Sequence, residues 1–168
     1  MKIIETNRLV LREFQPDDHA FILELLNEPG WIRYIGDRGL RTPDAARGYI
    51  VDVPMAMYAR NGFGLWAVQH RDDTTLLGMC GLIRRDTLAD VDIGFAFLDR
   101  HQGRGYAFEA AAAVLAHGRQ ALGLARIVAI TDPANAASIQ LLEKIGLTFE
   151  RMVTLPGSDE ALKLFATG

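Results

Sequence analysis

Apolar residues along the chain follow two rhythms. Leu9 and Leu11 alternate with Val10 and Arg12, which predicts a strand over 9–12 as the first element. Gln15-Pro16-Asp17-Asp18 breaks it, and Phe21, Ile22, Leu25 and Leu26 then recur at helical spacing. Asp17 is the expected cap of that helix, which stops before Pro29-Gly30. Residues 31–42 show no period and read as a loop carrying Trp31, Arg33, Tyr34, Arg38 and Arg41. Thr42-Pro43-Asp44 opens a second helix, with Thr42 as N-cap and Pro43 at the first helical position. Ala46, Tyr49, Ile50 and Val53 line it, and Pro54 is expected to kink or break it. Residues 64–68 and 76–83 alternate as a strand pair turned at Asp72-Asp73. Gly78 and Gly81 in the second of these predict a bulge or a close backbone approach. Cys80 between them has no partner set for nucleophilic chemistry and reads as a buried thiol.

The stretch from Val91 to Leu122 holds the densest signal. Val91, Ile93, Phe95 and Phe97 are large and predict the face turned to core helices. Asp92, Gly94, Ala96 and Leu98 form the opposite face, mostly small, with room for a ligand on the sheet. Asp99-Arg100-His101 ends the strand, and a long helix starts at Tyr106. Its predicted buried stripe is Ala107, Ala110, Ala111, Val114, Leu115, Gly118 and Leu122. Gly118 predicts close packing on the sheet, and Gly123 a left-handed cap. Residues 126–131 are almost wholly apolar, as in a strand covered on both faces. Asn135 is placed to cap the next helix and Gly146 to close it. Residues 149–155 and 161–166 read as a final antiparallel pair.

Between strand and long helix lies Gln102-Gly103-Arg104-Gly105-Tyr106-Ala107. A helix N-terminus presents unpaired amides and partial positive charge, which suits a phosphate. Glycines let those amides approach the anion, and Arg104 adds a fixed cation. The bland alternative is a helix start that needed small residues to turn. A dinucleotide fingerprint would need Gly or Ala where Phe108 stands, and an acid sooner than Asp132. A P-loop would need Gly-Lys-Ser or Gly-Lys-Thr, which the chain lacks.

Composition narrows the classes. With 168 residues, 49% hydrophobic and 23% charged, the chain suits one globular domain over 1–168. A net charge of −3 argues against nonspecific nucleic-acid or anionic-membrane binding, but not against a cationic substrate. One cysteine excludes an internal disulfide. His19, His70, His101 and His117 have no metal-ligand spacing, so no metal is expected. The start, with Glu5 and Arg8, is unlike a signal peptide, and no apolar run is membrane-length. The expectation is a cytoplasmic protein, with dimerisation through an edge strand left open.

The spacing Q-x-x-G-x-A at Gln102, Gly105 and Ala107, followed by Glu109-Ala110, resembles motif A of the GNAT N-acetyltransferase superfamily. The opening ETNRLVLREFQPDDH resembles the RimJ/RimL-type branch. N-x-x-S-x-x-L-L-E-K-x-G from Asn135 resembles motif B. Together these cover nearly the whole chain, in the family's order. The resemblance implies an α+β fold: a mixed, mostly antiparallel sheet, splayed at its central parallel strands and flanked by helices. It implies acetyl-CoA as co-substrate and an amine as acceptor, either a protein N-terminus or a small molecule. Loop amides at Gln102, Gly103, Arg104, Gly105, Tyr106 and Ala107 would hold the pyrophosphate. Phe97 and Leu98 would pair with the pantetheine arm, and Asn135 and Ser138 would contact it. Trp31 and Tyr34 would form a substrate wall, although packing under a lid reads equally well.

An amine is mostly protonated at neutral pH, so the chemistry needs a base, reached directly or through water. Asp92, on the open face of its strand, is the candidate, with a solvated carboxylate or a salt bridge as its bland alternatives; Glu109 is the second choice. The oxyanion needs a donor, most simply a backbone amide where the Val91 strand bends. Many relatives place an acidic tyrosine where this chain has Leu142. Members like RimL point instead to Ser138, as a hydrogen-bond donor near the thiolate. A thiolate with a pKa of about 8–9 can leave without a dedicated acid. A CoA-binding module without catalysis and a nucleotide-binding protein are the competing readings.

Overall fold

The strands are β1 (Lys2–Glu5), β2 (Leu9–Arg12), β3 (Leu65–His70), β4 (Leu76–Ile83), β5 (Val91–Phe97), β6 (Ile127–Thr131), β7 (Thr148–Val153) and β8 (Leu162–Ala166). They form one open sheet in the order β1-β2-β3-β4-β5-β6-β8-β7. Every neighbouring pair is antiparallel except β5 with β6. This computed structural model describes residues 2–168; residue 1, where the expected domain begins, lies outside them.

The helices are α1 (His19–Leu25), α2 (Pro29–Tyr34), α3 (Pro43–Ile50), α4 (Ala56–Asn61), α5 (Tyr106–Gln120) and α6 (Ala136–Lys144). A π-helical turn at Val51–Met55 joins α3 to α4 and contains Pro54. Proline lacks the N–H that an α-helical bond would use there, and the wider turn absorbs the loss.

Burial splits across the sheet. On one face Ala110, Ala111, Val114 and Leu115 of α5 pack with Leu9, Leu11, Trp66, Val91, Ile93 and Phe97. On the other, Phe21, Ile22 and Leu25 of α1 and Ala46, Tyr49 and Ile50 of α3 pack with Ala67, Met79 and Leu98. The alternation read in β5 is therefore correct for its core face. The opposite face is only partly open, because Leu98 and Ala96 pack in the helical cluster.

Three local readings change. The first strand is β1, which pairs with β2; Lys2 and Glu5 are exposed and the adjacent Ile3 and Ile4 are half-buried, so no alternation marks it. Asp18, rather than Asp17, organises the start of α1. Its carboxylate accepts from the Gln15 amide and from Arg12, both at 2.9 Å. Trp31 and Tyr34 lie on α2 instead of a loop, since Pro29 supplies a pre-set first helical turn. Thr42 caps α3 as expected, accepting from the Ala45 amide at 3.1 Å.

The two glycines of β4 mark close approach. A Cβ on Gly81 would lie 2.0 Å from the Gly64 carbonyl oxygen, and one on Gly78 would lie 2.5 Å from that of Ala96. Gly81→Ala must push β3 away, at about 2 kcal/mol by analogy with overpacked cores. The thermal midpoint should fall by about 4–8 °C. An unchanged midpoint would show that β3 and β4 separate freely there.

Candidate active site

Parallel pairing between β5 and β6 is confined to Val91 with Ile127 and Asp92 with Val128. Past Asp92 the strands diverge, while β5 stays paired with β4 through Phe97. The far half of β5 thus has a partner on one side and a gap on the other. The Leu98 amide donates to the Leu77 carbonyl at 3.1 Å. Backbone groups alternate in direction along a strand, so Ala96 and Gly94 also address β4, while Phe97 and Phe95 face the gap. The Leu98 carbonyl accepts from the His101 amide at 3.0 Å, and its side chain is fully buried. Leu98 is therefore committed elsewhere. Phe95 is the gap-facing residue that the sequence reading missed; a step of two back from Phe97 leads to it.

The loop after β5 sits at one end of this gap. Gln102, Gly103, Gly105, Tyr106 and Ala107 line a cleft of about 490 Å³ together with Phe97, Asn135 and Ser138. Gly103 and Gly105 have φ of +79° and +81°, a region that favours glycine. Among the described residues, the amides of Gly103 through Phe108 find no protein acceptor. They are concentrated donors at the positive end of a 15-residue helix. Gln102 Nε2 turns inward to the Phe97 carbonyl at 3.2 Å, which ties the loop to the strand end. Arg104, expected to face an anion, does not line the cleft. Lys144 of α6 does, with Nζ 4.6 Å from the Phe108 ring centre. Only the packing of α6 beside the loop reveals that cation.

Asn135 caps α6 through its side-chain oxygen, which accepts from the Ser138 amide at 3.2 Å. Its amide nitrogen has no protein partner among the described residues, and neither has the Ser138 hydroxyl. Both residues also line a second cleft of about 550 Å³, which shares Trp31, Tyr34 and Phe95 with the first. Trp31 is buried and Tyr34 half-buried, so this wall is partly packing. Tyr49, Arg38 and Leu142 complete the cleft's character. The Arg38 guanidinium lies 5.0 Å from the Tyr49 ring centre. Leu142, 1% exposed, gives the cleft an apolar wall at that point.

Asp92 lines this second cleft at the last position of β5 that pairs with β6, where those two strands part. It is only 1% exposed, unlike the open carboxylate that the sequence suggested. Arg85, which sequence reading missed, donates to Asp92 Oδ1 from Nε at 3.0 Å. Burial pushes the Asp92 carboxyl above the usual range, and Arg85 offsets part of that. Glu109, the alternative base, lines neither cleft. Its carboxylate accepts from Thr6 Oγ1 at 2.5 Å, from the Arg8 amide at 3.0 Å and from Arg8 Nε at 2.7 Å. Burial raises this carboxyl, but those hydrogen bonds outweigh it and hold it below the usual range. It has neither the access nor the basicity for proton transfer.

No group of His, Cys, Asp and Glu among the described residues could hold a metal ion. No helix among them is long and apolar enough to cross a membrane.

The family model of the acetyltransferase (GNAT) domain matches residues 8–148. The chain is 32% identical over 153 residues to the uncharacterized protein YkkB of Bacillus subtilis (strain 168), across 88% of this chain and 86% of the relative. It is 30% identical over 151 residues to the uncharacterized N-acetyltransferase YoaA of the same organism, across 88% and 84%. Its fold matches that of RimL, a ribosomal alpha-N-protein acetyltransferase solved in complex with coenzyme A, with a TM-score of 0.83. That match is at 16% identity and covers 99% and 97% of the two chains. A strand pair that parts beside a glycine loop, found within this match, identifies the chain as a member of the GNAT acetyltransferase family.

Proposed function

We propose that the chain transfers an acetyl group from acetyl-CoA to a primary amine, carried by a small molecule or by the leading residue of a protein. The observation that carries this reading is the gap between β5 and β6, with unpaired loop amides at one end and a buried carboxylate at the other. The residues present fit such a co-substrate. Amides of Gly103, Gly105, Tyr106 and Ala107 hold the pyrophosphate, and Lys144 adds charge beside them. Phe95 and Phe97 offer backbone groups to the pantetheine arm, and the Asn135 amide nitrogen donates to it. Bound acetyl-CoA supplies the activated acyl group as a thioester. Asp92 takes the proton from the incoming ammonium, through water because its carboxylate is buried. Ser138 Oγ donates a hydrogen bond near the sulfur. Trp31, Tyr34 and Tyr49 wall the acceptor cleft, whose size of about 550 Å³ suits a compact amine or one chain end better than a folded surface.

The reading is tested by thermal unfolding with acetyl-CoA, CoA or NAD. Ligand at about 1,000 times its dissociation constant contributes roughly 4 kcal/mol. That corresponds to a rise of about 8–16 °C in a domain of this size. Both CoA species should give the rise and NAD none. No rise with either CoA species sinks the reading. A rise without acetyl transfer to any of a panel of amines would instead support a binding module.

A further inference from the structure

Resting on that reading of the cofactor cleft, we propose that Arg8 and Glu109 form a strut that aims the phosphate-binding loop, with Arg8 as a positioning residue for acetyl-CoA. The loop has a problem of its own making. Gly103 and Gly105 give it freedom, and free amides bind an anion well only when they are already pointed at it. Something outside the loop must hold it.

Arg8, on the turn between β1 and β2, supplies that hold. Its Nη1 donates to the Arg104 carbonyl oxygen at 2.9 Å. Carbonyl and N–H of one trans peptide point in opposite directions. Fixing the Arg104 carbonyl toward Arg8 therefore turns the Gly105 N–H away from Arg8. Gly105 lines the cofactor cleft and Arg8 does not, so the amide is turned toward the anion site. The guanidinium is itself fixed from two sides. It lies 4.6 Å from the Tyr106 ring centre, and its Nε meets Glu109 Oε1 at 2.7 Å. Glu109 Oε2 holds the same turn by the Arg8 amide and the Thr6 hydroxyl. A carboxylate on the first turn of α5 thus clamps a segment about 100 residues earlier in sequence, and that segment clamps the loop before α5. The contact is close: a Cβ on Gly105 would stand 3.3 Å from Arg8 Nη2.

Arg8→Lys keeps the charge and removes the fork, and Glu109→Gln removes the anchoring charge. CoA affinity of the full-length protein, by calorimetry, should weaken about tenfold in each, as expected when a charge-assisted hydrogen bond is lost. KM for acetyl-CoA should rise by a similar factor, while the amine KM and the kcat at saturating acetyl-CoA stay within about twofold. A merely structural pair would lower the thermal midpoint without this split. If either variant fails to fold, Thr6→Val, which removes one hydroxyl from the clamp, should still weaken CoA about threefold. Folded variants that bind CoA as tightly as the parent protein overturn the strut. A parent protein that binds no CoA overturns the function proposed above instead, so the two failures are distinguishable.

Discussion

Asp92→Asn is expected to lower kcat by about a hundredfold or more while leaving the thermal midpoint unchanged or raised. The first half follows from chemistry. A positioned base contributes about 10²- to 10⁴-fold, and an amide of the same shape cannot accept the proton. The second half follows from burial. An ionised carboxylate 1% exposed carries a desolvation cost that Arg85 only partly offsets, and Asn removes that cost. Arg85 is 37% exposed at its side chain, so water can solvate it once its partner is gone. Arg85→Gln is the informative counterpart, because it leaves the buried charge without its partner and lets the carboxyl rise further.

The pH dependence follows from the direction of that shift. A carboxyl raised in the folded state is more acidic in the unfolded chain. Its destabilising contribution is therefore full at pH above the folded value and vanishes as pH drops below the ordinary carboxylate value. Mild acidification should relieve this group's contribution, and relieve it more in Arg85→Gln. Activity runs the other way, since the base must be ionised. The acidic limb of kcat should lie above the ordinary carboxylate range, move up in Arg85→Gln and disappear in Asp92→Asn. An Asp92→Asn enzyme within about threefold of the parent's kcat would make the pair structural only.

Gly105→Val should weaken acetyl-CoA binding by about a hundredfold or more. At φ +81° a β-branched side chain is strained, and its Cβ presses on Arg8 Nη2. Relief comes by swinging the peptide out of the left-handed region, which takes the amides of Gly105 and Tyr106 off the anion. Two charge-assisted hydrogen bonds at about 1.5–3 kcal/mol each set the expected loss. Calorimetry with CoA measures it, and Gly103→Ala is a useful contrast. Gly103 has the same backbone conformation but open space around its Cβ, so its loss should be smaller. Equal, small losses in both variants would mean that the loop amides do not hold the anion.

Much of this architecture was legible in the chain because it depends on near neighbours. The periods of α1, α5 and β5, the caps at Thr42 and Asn135, and the left-handed glycine at 123 are each set by a few adjacent residues. The motif spacing likewise placed the loop at the start of α5, because strand, turn and helix are contiguous there. β1 escaped because a half-exposed edge strand of four residues has no apolar alternation to read. α2 escaped because a helix of six residues is too brief to show a period, and proline was read as a stop when it served as a start.

The chemistry of the site was less legible, and for one reason: charge states and free donors depend on what lies across space. Nothing adjacent to Asp92 says that it is buried or that Arg85, seven residues earlier, turns back onto it. Nothing near Glu109 says that Thr6 and Arg8 occupy its oxygens. Leu98 looked equivalent to Phe97 until pairing with β4 fixed which backbone groups face the gap. The sequence by itself determined most of the elements, their order and the place of the glycine loop, because steric and hydrophobic preferences act within a few residues. Only the tertiary structure decided which carboxylate is buried in the cleft, which is tied to Thr6 and Arg8, and which strand groups are left unpaired. Desolvation and hydrogen bonding are set by neighbours that folding brings from far along the chain.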